Sequence, residues 1–207
     1  MLLFSLFSSP LQFLFVAAAI LLGFTVHEFT HAYVADKFGD DTPRLMGRLT
    51  LNPAAHLDLV GTIFLLIAGF GWGKPVIVNP RNFKNPIWDN VTVSLAGPMS
   101  NLVIAVILGL IYRFANLPLI INQALVVFVF YNLVLMIFNF LPIPPLDGSK
   151  ILSIFLPEEV YLQFQQLGIF LLFGLVLLSS FIPVIPFILT KVVGFFFTLI
   201  TGQNGLL

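Results

Sequence analysis

Apolar residues come along this chain in long runs separated by short polar connectors. The first run extends from about Leu11 to Ala35, after Pro10, and ends near DKFGDD, where Gly39 is a helix stop signal. Later runs cover about Val91 to Tyr112, Ile121 to Leu141, Leu162 to Ile182 and Val184 to Ile200, with a corner at Pro183 to Pro186 dividing the last two. A membrane-spanning helix needs about 20 mostly apolar residues. These five runs are therefore the spanning candidates. The run from Leu57 to Phe70 has about 14 residues, the length of a re-entrant or interfacial segment. It lies between two polar connectors, DKFGDDTPRLMGRLTLNPAAHLD and GWGKPVIVNPRNFKNPIWDN, and KPVIVNP in the second reads as a short strand. The pattern predicts an all-α polytopic membrane protein. It has about five transmembrane helices, plus a re-entrant or β-hairpin element between the first two spans.

Composition strengthens this reading. The chain of 207 residues is 59% hydrophobic and only 9% charged, against about 25% charged in soluble domains. So few charges cannot coat a water-facing surface, and the partner they imply is a lipid bilayer. The net charge is zero and there is no basic run, which argues against nucleic acid. There are no cysteines, so disulfides and thiolate metal sites are excluded. The N-terminal run has no basic residue before it and no clear small-residue cleavage site, so it is expected to stay as membrane structure.

The first run carries ionisable groups where an apolar helix should have none. TVHEFTHAYVAD, residues 25 to 36, holds His27, Glu28 and His31 within five positions. Histidines four apart lie on one helix face, one turn apart, and can share a zinc ion, while the glutamate between them can serve as a base toward water. Ionisable residues inside a membrane are costly and mark functional sites. A catalytic zinc needs a third protein ligand. The candidates are His56 and Asp58 in NPAAHLD, Asp147 in FNFLPIPPLDGSK, and Glu158 and Glu159 in LPEEVY; spacing alone does not choose among them. The Asp147 stretch is physically unusual. Pro142, Pro144 and Pro145 break the preceding helix, and irregular backbone at membrane depth survives only against protein or a wet cavity.

HEFTH at 27–31, NPAAHLD at 52–58, AGPMSN at 96–101 and NFLPIPPLDG at 139–148 together resemble the site-2 protease family of intramembrane zinc metallopeptidases. The resemblance covers roughly residues 10 to 155 and is nearest the compact prokaryotic branch without a PDZ domain. It implies one Zn2+ per chain held by His27, His31 and Asp147, with Glu28 as catalytic base. It also implies Asn139 as a stabiliser of substrate or oxyanion. Ser149 stands where many relatives have a second glycine, a local matter of packing. The whole chain is then one metallopeptidase domain, with a catalytic core of about residues 11–155 and C-terminal helices of about 162–200. Its expected substrate is a single-pass membrane protein, cut within or near its transmembrane segment. His56 is a further candidate, either orienting a ligand or Glu28 or bracing the connector. Asp58 reads as a helix cap and Asn101 as a packing contact between helices.

This resemblance makes a geometric demand. Asp147 must reach the membrane face where the first span ends beside His31. It does so only if Leu57 to Phe70 does not cross, which places residues 57–86 on that same face. That face then holds Lys37, Arg44, Arg48, Lys74, Arg81, Lys84 and Lys150, and the opposite face holds Arg113, with Lys191 left out because it lies inside the last apolar run. By the positive-inside rule the site opens toward the cytoplasm and the N-terminus lies outside. Two rival readings remain at the level of sequence. One is a transporter or channel using His27, His31 and Asp147 as an ion path. The other is a membrane zincin of the prenyl-protein-protease type, with its third ligand at Glu158 or Glu159.

Overall fold

The computed structural model describes residue 6 and residues 8–68, 71–182 and 184–203. Helix α1 (Pro10–Lys37) opens with a proline in its first turn and closes before Gly39, whose φ of +104° is open to glycine without strain. Its buried positions include Val16, Ala19, Gly23, His27, His31 and Ala35. They recur every three or four residues, so they form one stripe. Most of that stripe is small, which lets neighbouring backbones approach closely. Leu14 and Leu22 lie off the stripe and are exposed, as lipid-facing residues should be.

The connector that follows carries α2 (Thr42–Leu45), a 3-10 turn at Pro53–Ala55 and α3 (Leu59–Ala68). Asp58 caps α3, its Oδ1 accepting the Gly61 N–H at 2.9 Å. The chain then passes residues 71–79 without regular structure and enters a 3-10 turn at Pro80–Asn82. Its return is fixed by one buried carboxylate. Asp40 accepts the Thr42 hydroxyl at 2.5 Å and the Thr42 N–H at 3.2 Å, both at the start of the connector. It also accepts the Asn79 N–H and an Asn82 amide N–H, each at 2.7 Å, near the connector's end. The segment therefore leaves and re-enters the helical bundle at the same end. Burial pushes the Asp40 carboxyl upward, but these four donors hold it below its ordinary value of 3.8.

Helix α4 (Pro86–Phe114) runs back from that end, and α5 (Leu119–Asn139) returns toward it. The stripe of α4 that packs inward includes Ser94, Gly97, Asn101, Ala105 and Gly109. A 3-10 turn at Asp147–Ile154 follows the proline-rich break after α5. Gly148 is required there, because a Cβ would lie 2.2 Å from the Phe140 carbonyl oxygen. Beyond it lie α6 (Glu158–Gln166), α7 (Gly168–Phe181) and α8 (Val184–Thr201). Phe197, Val193 and Ile200 of α8 join Leu133, Val129 and Ala105 in the largest buried apolar cluster.

Among the described residues three helices, α1, α4 and α5, are long and apolar enough to cross a membrane. A fourth span exists if α6 and the Gly168–Ser179 part of α7, bent by 54° at their junction, are taken as one. The apolar part of α8, Pro186–Thr201, is shorter than a span. Three to four such helices are fewer than the about five expected: apolarity marks lipid-compatible chain but does not show where a helix breaks. Residues 57–86 are expected as a re-entrant or β-hairpin element, and the β-hairpin form is not seen. Among the described residues this segment holds a ten-residue helix and one isolated antiparallel bridge, Leu57 to Gly73, with no strand pair. Pro75 and Pro80 bracket KPVIVNP and lack the N–H groups that a ladder requires. The corner at Pro183 and the last two residues of the Leu57–Phe70 run lie outside the described residues.

Candidate metal centre

His27 and His31 share one face of α1, and the turn after the proline break brings Asp147 against them. His27 Nε2 lies 3.0 Å from Asp147 Oδ2, His31 Nε2 lies 3.3 Å from the same oxygen, and the two Nε2 atoms are 3.0 Å apart. Both histidines are buried. Zinc binds imidazole nitrogen at about 2.0–2.1 Å and carboxylate oxygen at about 2.0–2.2 Å, so the edge of its tetrahedron is about 3.3 Å. The observed triangle is close to one face of that tetrahedron.

The hydrogen bonds around the triangle show why it suits a cation. His27 Nδ1–H donates to Asn101 Oδ1 at 2.7 Å, and His31 Nδ1–H donates to the Val93 carbonyl at 2.8 Å. A neutral imidazole has one N–H, and here each ring uses it on the side away from the triangle. Each Nε2 then presents a lone pair, and the two face each other and a carboxylate oxygen. Three acceptors with no proton among them repel unless a positive ion lies between them. The donor set of two imidazoles and one carboxylate, with the outer nitrogens pinned, fits zinc.

AGPMSN is what makes room for this. Gly97 faces the two rings: a Cβ there would stand 2.3 Å from His31 Nε2 and 2.7 Å from His27 Nε2. Asn101 lies one helical turn further on α4 and reaches His27 from the same face. Its amide also donates to the Gly23 carbonyl and to Asn132 Oδ1, each at 3.0 Å. Asn101 is thus not the simple packing contact expected from the sequence. The only clue was an amide placed in an apolar run, which also suits plain helix packing.

Glu28, next to His27, is buried, and its Oε2 accepts the backbone N–H of Val76 at 3.0 Å. Residues 71–79 therefore pass beside Glu28. Gly73 allows the approach, since a Cβ would meet the Phe24 ring at 2.2 Å. The remaining sequence candidates lie elsewhere. His56 is fully buried and donates its Nε2–H to the Thr50 carbonyl at 2.8 Å, while its own carbonyl accepts the Lys74 N–H at 2.8 Å. It braces the connector, and none of its hydrogen bonds goes to Glu28 or the triangle. Asn139 donates to the Leu135 carbonyl of its own helix at 3.0 Å. Glu158 and Glu159 are exposed in the first turn of α6. Among the described residues, His27, His31 and Asp147 form the one group of three such side chains close enough to share a metal.

Comparison with known proteins points to a peptidase family. The model of peptidase family M50 matches residues 15–122. YwhC of Bacillus subtilis (strain 168), named as a candidate zinc metalloprotease, is 45% identical over 161 residues, covering 73% of this chain and 74% of its own. The chain belongs to peptidase family M50. Another relative of this M50 chain is Rip2 of Mycolicibacterium smegmatis, also named as a candidate zinc metalloprotease. It is 34% identical over 71% of this chain, and the match spans 59% of Rip2. A third, MJ0611 of Methanocaldococcus jannaschii, carries the same kind of name and is 33% identical over 70% of this chain and 72% of its own. No solved structure gives a significant match. This M50 protein, the site-2 protease relative expected from its motifs, is an integral-membrane zinc metalloprotease with zinc as its cofactor.

Proposed function

We propose that this M50 protein hydrolyses a peptide bond within or near the transmembrane segment of a membrane protein. The observation that carries the reading is the placement of the His27–His31–Asp147 triangle among three helices long enough to cross a membrane. A peptidase site so placed is supplied with substrate from the bilayer itself.

In this reading His27 Nε2, His31 Nε2 and an Asp147 oxygen hold the zinc, and Glu28 is the general base. When bound, zinc supplies Lewis acidity that activates water and polarises the scissile carbonyl. Glu28 takes the water's proton on its carboxylate and passes it to the leaving amine. Among the described residues only its Oε2 is hydrogen-bonded, to Val76, which steadies the carboxylate and leaves the other oxygen for the proton. Burial of His27, His31 and Glu28 excludes bulk water and strengthens each of these interactions. Asn139 stabilises the substrate carbonyl only after turning from its present partner, Leu135.

A helical substrate must unwind before it is cut, because its carbonyls are tied into the helix. Residues 74–79 are the segment to receive the unwound chain, by backbone pairing of the β-addition kind. Their position beside Glu28 and the exposure of Ile77 support this. The distribution of cations, seven at the site end against Arg113 at the other, supports a site facing the cytoplasm with the N-terminus outside. The deciding experiment compares wild type and Glu28→Gln in detergent with a membrane-protein substrate. The variant keeps its zinc and loses cleavage; an unchanged rate removes Glu28 from the role of base. A parallel flux assay in proteoliposomes distinguishes the protease from an ion path.

A further inference from the structure

Asn101 and Asn132 are amides set in the apolar middles of α4 and α5, and they are 0% and 1% exposed. A buried amide in such a place must be fully paired or it opposes folding. Both are paired, and their partners have a definite order. Asn132 Nδ2 donates to the Phe128 carbonyl at 2.8 Å. A backbone carbonyl can only accept, so this fixes which end of the Asn132 amide is nitrogen. Its Oδ1 therefore faces Asn101 and accepts an Asn101 Nδ2–H at 3.0 Å. The second N–H of that nitrogen goes to the Gly23 carbonyl, also at 3.0 Å and also only an acceptor. Asn101 Oδ1 is left facing His27 Nδ1 at 2.7 Å, where it can only accept. In the neutral imidazole that a metal requires, the proton of His27 must then sit on Nδ1, which leaves the lone pair on Nε2.

We infer that Asn101 and Asn132 form a relay of positioning residues through which two backbone carbonyls, Phe128 and Gly23, set the tautomer of His27 for metal binding. His31 needs no such relay, because its Nδ1–H meets the Val93 carbonyl directly. His27 faces a side chain that could turn over. An unaided asparagine at 101 has two faces of similar shape, and the flipped form would present N–H to Nδ1. The imidazole would then move its proton to Nε2, where it blocks a ligand position. Asn132 and Gly23 make the flip unfavourable on both N–H groups at once. The relay thus spans all three long helices, and close packing of α1, α4 and α5 becomes a condition for a competent metal site.

The inference rests on the proposed role of His27 as a zinc ligand, and the test separates the two. Zinc affinity is measured by chelator competition on purified full-length protein in detergent. The His27 tautomer is read in the zinc-free protein from its imidazole 15N shifts. His27→Ala should lose zinc; if it binds like wild type, the ligand assignment fails whatever the relay does. Asn101→Leu should weaken zinc roughly 10- to 100-fold, the usual effect of losing a group that orients a metal-binding histidine. Asn101→Asp should recover part of that loss: a carboxylate accepts from Nδ1 in either orientation, although its second oxygen then faces the Gly23 carbonyl and Asn132 Oδ1, which only accept. Asn132→Leu should weaken zinc in the wild-type background and give a mixed His27 tautomer, yet have little further effect on Asn101→Asp, which has no wrong face to turn. If Asn101→Leu does not fold, the comparison of Asn132→Leu in these two backgrounds still decides. Equal losses in both, or a pure Nδ1–H tautomer in Asn132→Leu, overturn the relay.

Discussion

Val76 donates its backbone N–H to Oε2 of Glu28 at 3.0 Å, joining residues 48 positions apart in the chain. The bond links a connector without regular structure to the buried face of α1. Its donor is backbone, so the Val76 side chain is not needed for it. Hydrogen bonds to charged groups contribute about 1.5–3 kcal/mol, which corresponds to roughly 10- to 100-fold in a rate if the interaction persists in the transition state. Val76→Pro removes the N–H and is expected to lower kcat at least about tenfold with zinc content unchanged. Val76→Ala keeps the N–H and should stay close to wild type. Equal activity of the two variants would show that the contact does not steady the base.

Gly97 separates metal binding from stability. In an exposed helix interior, Gly→Ala favours the helix by about 1 kcal/mol. Here the new methyl group would stand 2.3 Å from His31 Nε2 and 2.7 Å from His27 Nε2. One or both imidazoles must leave the triangle. Gly97→Ala is therefore expected to lose zinc and activity while the protein still folds. In a background carrying His27→Ala and His31→Ala the clash is gone, and the same change should leave Tm unchanged or raise it. A Gly97→Ala protein with full zinc stoichiometry would contradict the close approach.

Asp40 makes the connector sensitive to acid. Its carboxyl is held below 3.8 by Thr42, Asn79 and Asn82 despite burial. A carboxyl with a lower pKa in the folded state than in the unfolded one stabilises the fold above the unfolded value. That contribution begins to fade as pH falls below about 4 and is lost through the folded pKa. Protection of the Asn79 amide from exchange, relative to its intrinsic rate at each pH, should therefore fall below about pH 4, well before the helical bundle opens. Asn at position 40 turns an N–H toward donors, so Asp40→Asn should cost about 1–3 kcal/mol at neutral pH and flatten the acid dependence. Unchanged protection at Asn79 in acid would remove Asp40 as the tie.

The parts of this site that follow local rules were legible in the sequence. His27 and His31 share a face because of their spacing, and three prolines marked the segment of Asp147 as broken backbone worth explaining. That residues 57–86 should stay at one end followed from the need to join His27 with Asp147, and the Asp40 contacts to Asn79 and Asn82 bring the two ends of the connector together. What could not be read depended on contacts between distant segments. Nothing local distinguishes Asn101 as the partner of His27, 74 positions away, from an amide that merely packs helices. Gly97 matters because of what faces it, not because of its neighbours in sequence. Residues 162–182 read as one apolar run, whereas the chain bends by 54° where α6 meets α7, just after Gln163, Gln165 and Gln166.

His56 supplies the last prediction, because its two ring nitrogens argue for bracing. Nε2–H is used on the Thr50 carbonyl, and Nδ1 is buried with no hydrogen-bond partner among the described residues. A ring that oriented a zinc ligand or Glu28 would spend a nitrogen on it, and His56 does not. Its effect on the site runs through its carbonyl, which receives the Lys74 N–H two residues before Val76. Removing the ring leaves a cavity beneath that strap and frees the Thr50 carbonyl, at a cost of about 2–4 kcal/mol by analogy with other large-to-small changes in cores. His56→Ala is therefore expected to keep one zinc per chain, to lower Tm, and to speed amide exchange at Lys74 and Val76. Cleavage should fall through the loosened Val76–Glu28 contact, to about the level of Val76→Pro. Adding His56→Ala to Val76→Pro should lower cleavage little further, since both act on the same bond. Loss of zinc from His56→Ala would instead make the ring part of the metal centre.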